Sequence, residues 1–395
     1  MKRSLAAIAA ATLSLSLLAG CGGGSSSSDS DVIKVGINYE LSGAVATYGD
    51  ASVKGIEMAF DEINAAGGIN GKQVETIKYD TKSEPAEATT LATKLMTQDK
   101  VVTVIGPATS GSFKATIPVA NQNKIPVVSG SATAEDVTVS NGKVQEYAFR
   151  TCFSDSFQGT AMASFATDNL GAKSAVIIKD TSSDYAKGLA DNFKAAFEKV
   201  HGKGSVVAME SHGPKDQDFS AQLTKIIAAK PDFIFVPENY SFAALIVPQA
   251  RDLGYKGPFM GSDAWGSAEL FNLCGKDCVG QYFSTHYTAE GATGKTKEFI
   301  DKYKAKYGYV PDDVAALTWD SINIVLTAIQ NAGKVDPDLK KERKIIRDNM
   351  ASLANFDGIT GSMKFDANHD PIKCAVIVRV TDSGSFAFVE SVCPK

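Results

Sequence analysis

Three loops hold the residues most able to do chemistry. Gly106-Pro107-Ala108-Thr109-Ser110-Gly111-Ser112 follows the apolar run Val101 to Ile105, and Ser129-Gly130-Ser131-Ala132-Thr133 follows Ile125 to Val128. Hydroxyls and free backbone N–H groups at a helix start make a receptor for a carboxylate or phosphate. Singly, Ser110, Ser112 and Thr133 read as helix caps; two such loops at adjacent strand ends point to an anion site. The third loop, Gly261-Ser262-Asp263-Ala264-Trp265-Gly266, sets a carboxylate beside an aromatic after Phe259-Met260. Glu238 and Tyr240 follow Phe233 to Val236, and Tyr185 opens a helix after Ile178. Asp263 alone either caps a helix or binds a cation. An acid facing a hydroxyl-rich anion site is what a zwitterion needs.

Catalytic patterns are missing. No serine sits in a Gly-x-Ser-x-Gly elbow, and none of the 4 histidines lies in a His-Glu-x-x-His spacing. Gly67-Gly68-Ile69-Asn70-Gly71-Lys72 has Ala66 and Gln73 where a phosphate loop needs Gly and Ser or Thr, so it reads as a turn. Asp263 with Glu238 is conceivable as an acid and base pair, although nothing sets their separation. Zinc at Cys274 and Cys278 would need two more ligands, with His286 the one weak candidate. The expectation is a non-enzyme without cofactor or metal.

The elements that must position these loops alternate strand with helix. Ile33, Val35, Ile37 and Tyr39 recur at the strand period, then Ile56, Ala59, Phe60 and Ile63 at the helical one. The alternation continues through Val74 to Tyr79, Ala86 to Met96, Phe113 to Asn121 and beyond. Apolar strands separated by helices imply parallel sheets covered on both faces, with ligands beyond the strands' carboxyl ends. A second series starts near Tyr147 and runs to Phe259-Met260. Helices return at Lys295 to Tyr307, Val314 to Asn331 and Leu339 to Ala351, and strands close the chain. The fold class is α/β, with two Rossmann-like lobes joined by hinge crossovers. Their expected extents are residues 32–150 plus 286–357, and 151–285 plus 358–395.

Lys2 and Arg3 precede the apolar run Leu5 to Leu18, which is too short to span a bilayer comfortably. Leu18-Ala19-Gly20-Cys21 resembles a bacterial lipobox, so residues 1–21 are expected to form a lipoprotein signal ending at the lipidated Cys21. An ordinary cleaved signal with an incidental cysteine is the alternative. Residues 22–31, nearly all Gly and Ser, read as a flexible tether. Removing the signal leaves about 370 residues, more than one core usually supports. Net charge is -5 without a basic cluster, which argues against nucleic acid. Cys374 and Cys393 lie on the arms of a hairpin around Asp382-Ser383-Gly384, and Cys274 and Cys278 bracket three residues, so both pairs are candidate disulfides. Cys152 is left over.

Taken in order, several stretches resemble the branched-chain amino acid type of ABC-transporter solute-binding proteins, with their periplasmic binding protein type I fold. They are Leu41-Ser42-Gly43 with Tyr48-Gly49, Glu62 through Gly71, Asp80 then Ala86, and Ile105-Gly106 with Ser110. Ser129 to Thr133, Phe149-Arg150-Thr151, and Asp155 with Gln158-Gly159 complete the series. The resemblance implies that Ser110 and Thr133 take a ligand's α-carboxylate, helped by backbone groups at Ser131 and Ala132. It implies that Asp263 pairs with the α-ammonium, that Tyr185 and Tyr240 close from the second lobe, and that Tyr48 lines the side-chain pocket. Cys152-Phe153 and Trp265 depart from the pattern and are expected to crowd the cleft. The implied protein is a monomer, lipid-anchored outside the cytoplasm, that hands an amino acid to an ABC permease. Members of the family also bind amides, urea or aromatic carboxylates, and a ligand-sensing module is the rival role.

Overall fold

A computed structural model describes residues 32–333, 336 and 338–394. The lipobox, Cys21 and the tether lie outside the described residues. Strand β1 (Val32–Tyr39) leads to α1 (Ala46–Ala65), β2 (Gln73–Asp80), α2 (Pro85–Thr97), β3 (Thr103–Ile105), α3 (Ser110–Asn123) and β4 (Val127–Ser129). A small hairpin, β5 (Val139–Ser140) with β6 (Lys143–Val144), precedes β7 (Ala148–Arg150). The first sheet runs β2-β1-β3-β4-β7 and every pairing in it is parallel. Strands β3 and β4, and β7 at the sheet's edge, are buried at every residue, as continuous apolar strands between helix layers should be.

The second sheet starts after α4 (Asp155–Asp168). It takes β8 (Ala175–Asp180), α5 (Asp184–His201), β9 (Val206–His212), α6 (Ser220–Ala228), β10 (Phe233–Phe235), α7 (Tyr240–Asp252) and β11 (Phe259–Met260). Helix α8 (Glu269–Cys274) then leads to β12 (Tyr282–Thr285). The chain returns to the first half in α9 (Gly294–Tyr307), α10 (Asp313–Ala332) and α11 (Leu339–Ala351), where α1 packs along α10. Gly55 makes that packing close, because a Cβ there would lie 2.8 Å from the Ala315 carbonyl oxygen. After the small pair β13 (Phe356–Gly358) and β14 (Gly361–Met363), the hairpin β15 (Ala375–Val380) and β16 (Phe386–Val392) completes the second sheet. Its order is β16-β15-β12-β11-β10-β8-β9, parallel except where β15 pairs with β12 and β16.

Helix α5 shows why the second half holds together. Ala186, Leu189, Ala190, Phe193 and Phe197 recur at three- and four-residue steps and are buried. Phe193 stacks on Phe235 at 4.2 Å between ring centroids and meets Phe233 edge-on at 5.9 Å. Phe153 and Trp265 do not crowd the cleft as expected: neither lines the cavity. Trp265 turns into the core, its indole N–H donating to Val236 O at 3.2 Å, against Gly261, where any side chain would strike the ring. Phe153 stacks on His286 at 3.8 Å, and Cys152 is a buried free thiol. Disulfides join Cys374 to Cys393 and Cys274 to Cys278.

Crossovers between the sheets are tied by buried polar groups. Arg150, at the end of β7, donates to Asp370 Oδ1 at 2.7 Å and to the carbonyls of Thr133 and Ala134 at 2.8 and 2.9 Å. His369 stacks on Phe149, so the stretch containing Phe365 and Asp370 is fastened to the first sheet before β15 joins the second. Lys373 donates to Thr151 O at 3.2 Å and Thr360 Oγ1 at 2.7 Å, and burial pushes its ammonium down to about 8.

Candidate functional site

The carboxyl ends of both sheets face one cavity of about 810 Å3. On the first half, α3 begins in it. Ser110, Gly111 and Ser112 form the helix's first turn, whose N–H groups have no helical acceptor. The preceding N–H groups are already used. Glu40, buried just past β1, accepts from Ala108 N at 2.9 Å, Thr109 N at 3.0 Å and Thr109 Oγ1 at 2.8 Å. The chain's own carboxylate thus holds the loop, and the anion-receptive face is confined to the turn beyond it.

The neighbouring loop is fixed from behind. Ser129 Oγ donates to Pro107 O at 2.7 Å, and Ser110 Oγ accepts the Ala134 N–H at 3.2 Å. Arg150 draws the carbonyls of this loop away from the cleft. Ser131 lines the cavity with its hydroxyl on Ala108 O at 3.0 Å. Ala132 and Thr133 are buried beside the cavity without lining it, and Thr133 Oγ1 has no partner. Ser110 and Thr133 are not side-chain caps: Thr109 is the N-cap of α3 and makes no cap bond.

On the second half, Asp263 stands at the cavity wall, 6% exposed. Its Oδ1 accepts from Tyr185 Oη at 2.5 Å and from Gln158 Nε2 at 2.7 Å. His286 Nε2 lies 3.4 Å from its other oxygen. Burial pushes His286 down to about 4, so its imidazole is neutral at pH 7 and leaves Asp263 uncompensated. Tyr185 lies in the first turn of α5, which is capped by Ser183 accepting the Ala186 N–H at 3.1 Å. Glu238 is not in the cavity. Its carboxylate accepts the Asp180 N–H and faces His212 at 3.3 Å, so the conceived acid and base pair with Asp263 does not form.

The halves touch around the cavity. Tyr48 from α1 donates its hydroxyl to Ala264 O, and Tyr240 packs edge-on against its ring at 5.3 Å without reaching the cavity wall. Thr47 meets Ser267 at 3.3 Å. Lys114 on α3 reaches Asp184 on α5 at 2.8 Å and also holds Asp136 at 2.6 Å. Among the expected residues, then, the cavity gathers Tyr48, Ser110, Ser131, Tyr185 and Asp263, with Ala132, Thr133 and Tyr240 just behind. Sequence reasoning missed Gln158, His286 and Asp313. His286 immediately follows β12, so its position at a strand's carboxyl end was the available signal.

A receptor that takes a small molecule between two α/β halves is the class of protein this geometry defines. The sequence profile of periplasmic binding proteins matches residues 32–385, and the chain belongs to that family. LivJ of Streptococcus pneumoniae, a branched-chain amino acid transporter substrate-binding protein solved with isoleucine, is 39% identical, with TM-score 0.84 over 92% of this chain and 100% of LivJ. The leucine-binding protein LivK of Thermotoga maritima is 34% identical, with TM-score 0.83 over 92% of this chain and 99% of LivK. The leucine-, isoleucine-, valine-, threonine- and alanine-binding protein of Pseudomonas aeruginosa is 29% identical over 86% of this chain and 87% of its own length. The architecture, parallel sheets flanked by helices, is that of the type I periplasmic binding proteins.

Proposed function

We propose that the protein is the extracytoplasmic solute-binding component of an ABC importer and captures an amino acid, branched-chain or similar, for delivery to a membrane permease. One observation carries this reading: a single cavity presents free N–H groups and hydroxyls of α3 on one wall and the buried Asp263, held by Tyr185 and Gln158, on the other. A carboxylate and an ammonium on one small molecule match those two walls. In this reading Ser110 and Ser131 at the cavity wall receive the α-carboxylate, with Thr133 and Ala132 just behind them; the Ser131 and Ala132 N–H groups rest on Ser129 Oγ at 3.3 and 3.1 Å. Asp263 takes the ammonium, Tyr185 and Tyr240 close over the ligand from the second half, and Tyr48 lines the side-chain pocket. The moving bodies are residues 32–150 plus 286–357 and 151–285 plus 358–395, with the Phe365 to Asp370 stretch carried by its bonds to β7. The protein acts as a monomer, with no catalytic residue.

Calorimetry and thermal shift against amino acids, amides and aromatic carboxylates test the ligand class. Ligand at a hundred times its Kd stabilises by about 2.7 kcal/mol, an easily read shift. Binding of amides or aromatic acids with no response to any amino acid overturns the reading. Lipidation of Cys21 supplies the anchor: the Gly/Ser tether after it has no apolar face, and no helix among the described residues is long and apolar enough to cross a membrane. Cys21→Ala then moves the protein to the soluble fraction; continued membrane association refutes the anchor.

A further inference from the structure

We propose that Asp313 is a second carboxyl for the ligand's cationic group, so that the acidic end of the cleft grips an ammonium between Asp263 and Asp313. The inference rests on the amino-acid reading above and extends it to a residue that reading does not use. Asp313 begins α10, lines the cavity and is 4% exposed. Its Oδ2 accepts from Thr285 Oγ1 at 2.9 Å, whereas Oδ1 is buried without any partner. Helix capping does not account for it. The cap of α10 is Asp312, whose side chain accepts the Ala315 N–H at 2.9 Å.

The fold makes room for this carboxyl. A Cβ on Gly266 would lie 2.5 Å from Asp313 Oδ1, so the glycine that follows the Asp263 turn is what admits it. Burial, and after it the nearby charges of Asp312 and Asp263, keep the Asp313 carboxyl far above its ordinary range. Lys215 is a cation on the same cavity's wall, and the other groups that could donate to Asp313 or bring positive charge to it are engaged or uncharged. Tyr48 is engaged on Ala264 O and His286 is neutral. Lys373, whose charge reaches Asp313 through the interior, has its ammonium on Thr151 O and Thr360 Oγ1. An ammonium brings three N–H donors; Asp263 Oδ1 already accepts two bonds, and Asp313 Oδ1 accepts none. A buried acceptor of this kind is costly until a donor reaches it.

The test uses titration calorimetry with three probes: leucine, 3-methylbutylamine, which lacks the carboxylate, and 4-methylpentanoate, which lacks the amine. Asp313→Ala is expected to weaken leucine and the amine at least tenfold and to leave the acid unchanged. Asp313→Asn, which keeps an acceptor for Thr285, guards against misfolding of the alanine variant and is expected to weaken both amines by at least threefold. Parent protein titrated with leucine at pH 7 in phosphate and in Tris should release a proton that Asp313→Asn does not release. Folded variants that bind leucine and the amine within twofold of the parent, with the same proton count, overturn the proposal. Asp313-dependent binding of the amine without binding of leucine would uphold Asp313 and overturn the amino-acid reading. If the parent binds neither, the amino acid that gives the largest thermal shift and its decarboxylated amine take their place, and a parent that responds to no amino acid and no amine overturns both.

Discussion

Asp263→Asn separates a desolvated charge pair from a merely polar contact. The exchange is nearly isosteric: the amide oxygen can still accept from Tyr185 and Gln158, and the NH2 group then faces His286, whose neutral ring can turn its lone pair toward it. Only the charge is lost. A ligand ammonium paired with an exposed carboxylate would be worth about 0–1 kcal/mol, a loss of at most about fivefold. Asp263 is 6% exposed, and around its cavity the halves meet through Tyr48 with Ala264, Thr47 with Ser267, and Lys114 with Asp184. Removing one partner of such a buried pair costs about 3–5 kcal/mol. At about 1.4 kcal/mol per tenfold, the expected loss is about a hundred- to several-thousand-fold. The fold without ligand should not suffer, because the charge removed repels buried Asp155 and Asp313. Calorimetry gives the affinity and a ligand-free melt gives the fold. An unchanged melt with affinity within about fivefold of the parent refutes the ammonium assignment.

Lys114→Ala removes a rim pair with Asp184 that is one quarter to two fifths exposed, so about 0.5–1 kcal/mol is at stake; stopped-flow should show ligand leaving two- to fivefold faster. Replacing both Cys374 and Cys393 by Ser opens a loop with sequence separation 19, which should lower unfolding free energy in urea by about 3 kcal/mol; unchanged stability would mean the hairpin is held by its strand pairing alone. His286 is held at about 4 in the fold against about 6.5 unfolded. Between those values the unfolded chain binds the extra proton, so this contribution is present above pH 6.5 and lost as pH falls to 4. His286→Gln should therefore lose about 3 kcal/mol less than the parent over that interval in ligand-free urea melts; parallel stability profiles would show that His286 titrates freely in the fold.

Loops that follow apolar strands were readable because their composition changes abruptly. Gly106 to Ser112, Ser129 to Thr133 and Gly261 to Gly266 stand out from the Val and Ile runs before them, and topology sends such loops to one face. The two disulfides were readable for a related reason, since a hairpin and a three-residue span bring the cysteines together without long-range information. Residues whose roles depend on partners far along the chain were not readable. Glu40 looks like any acid after a strand until Ala108 and Thr109, 68 and 69 positions on, give it their N–H groups. Gln158 meets Asp263 across 105 positions. Strand β12 is four residues, Tyr-Phe-Ser-Thr, too short and too polar to show a period, so the histidine just past it read as an isolated ligand candidate.

Bulk misled at Trp265 for the opposite reason. A large ring beside an acid suggests a cleft wall, but Gly261 leaves a surface against which the indole lies, and Val236 O satisfies its N–H inside the core. The same turn then offers Gly266, whose missing side chain admits Asp313. Two glycines therefore decide which side chains leave the cleft and which enter it. Sequence shows them only as glycines near an acid; Gly261 makes room for the indole of its own turn, whose N–H is met by Val236 just past β10, and Gly266 makes room for Asp313 of α10. The acidic end of the cleft is thus specified by close packing between distant elements, and residue type alone does not mark it, because Glu238 is also a carboxyl near a strand end yet is used up by Asp180 N and His212.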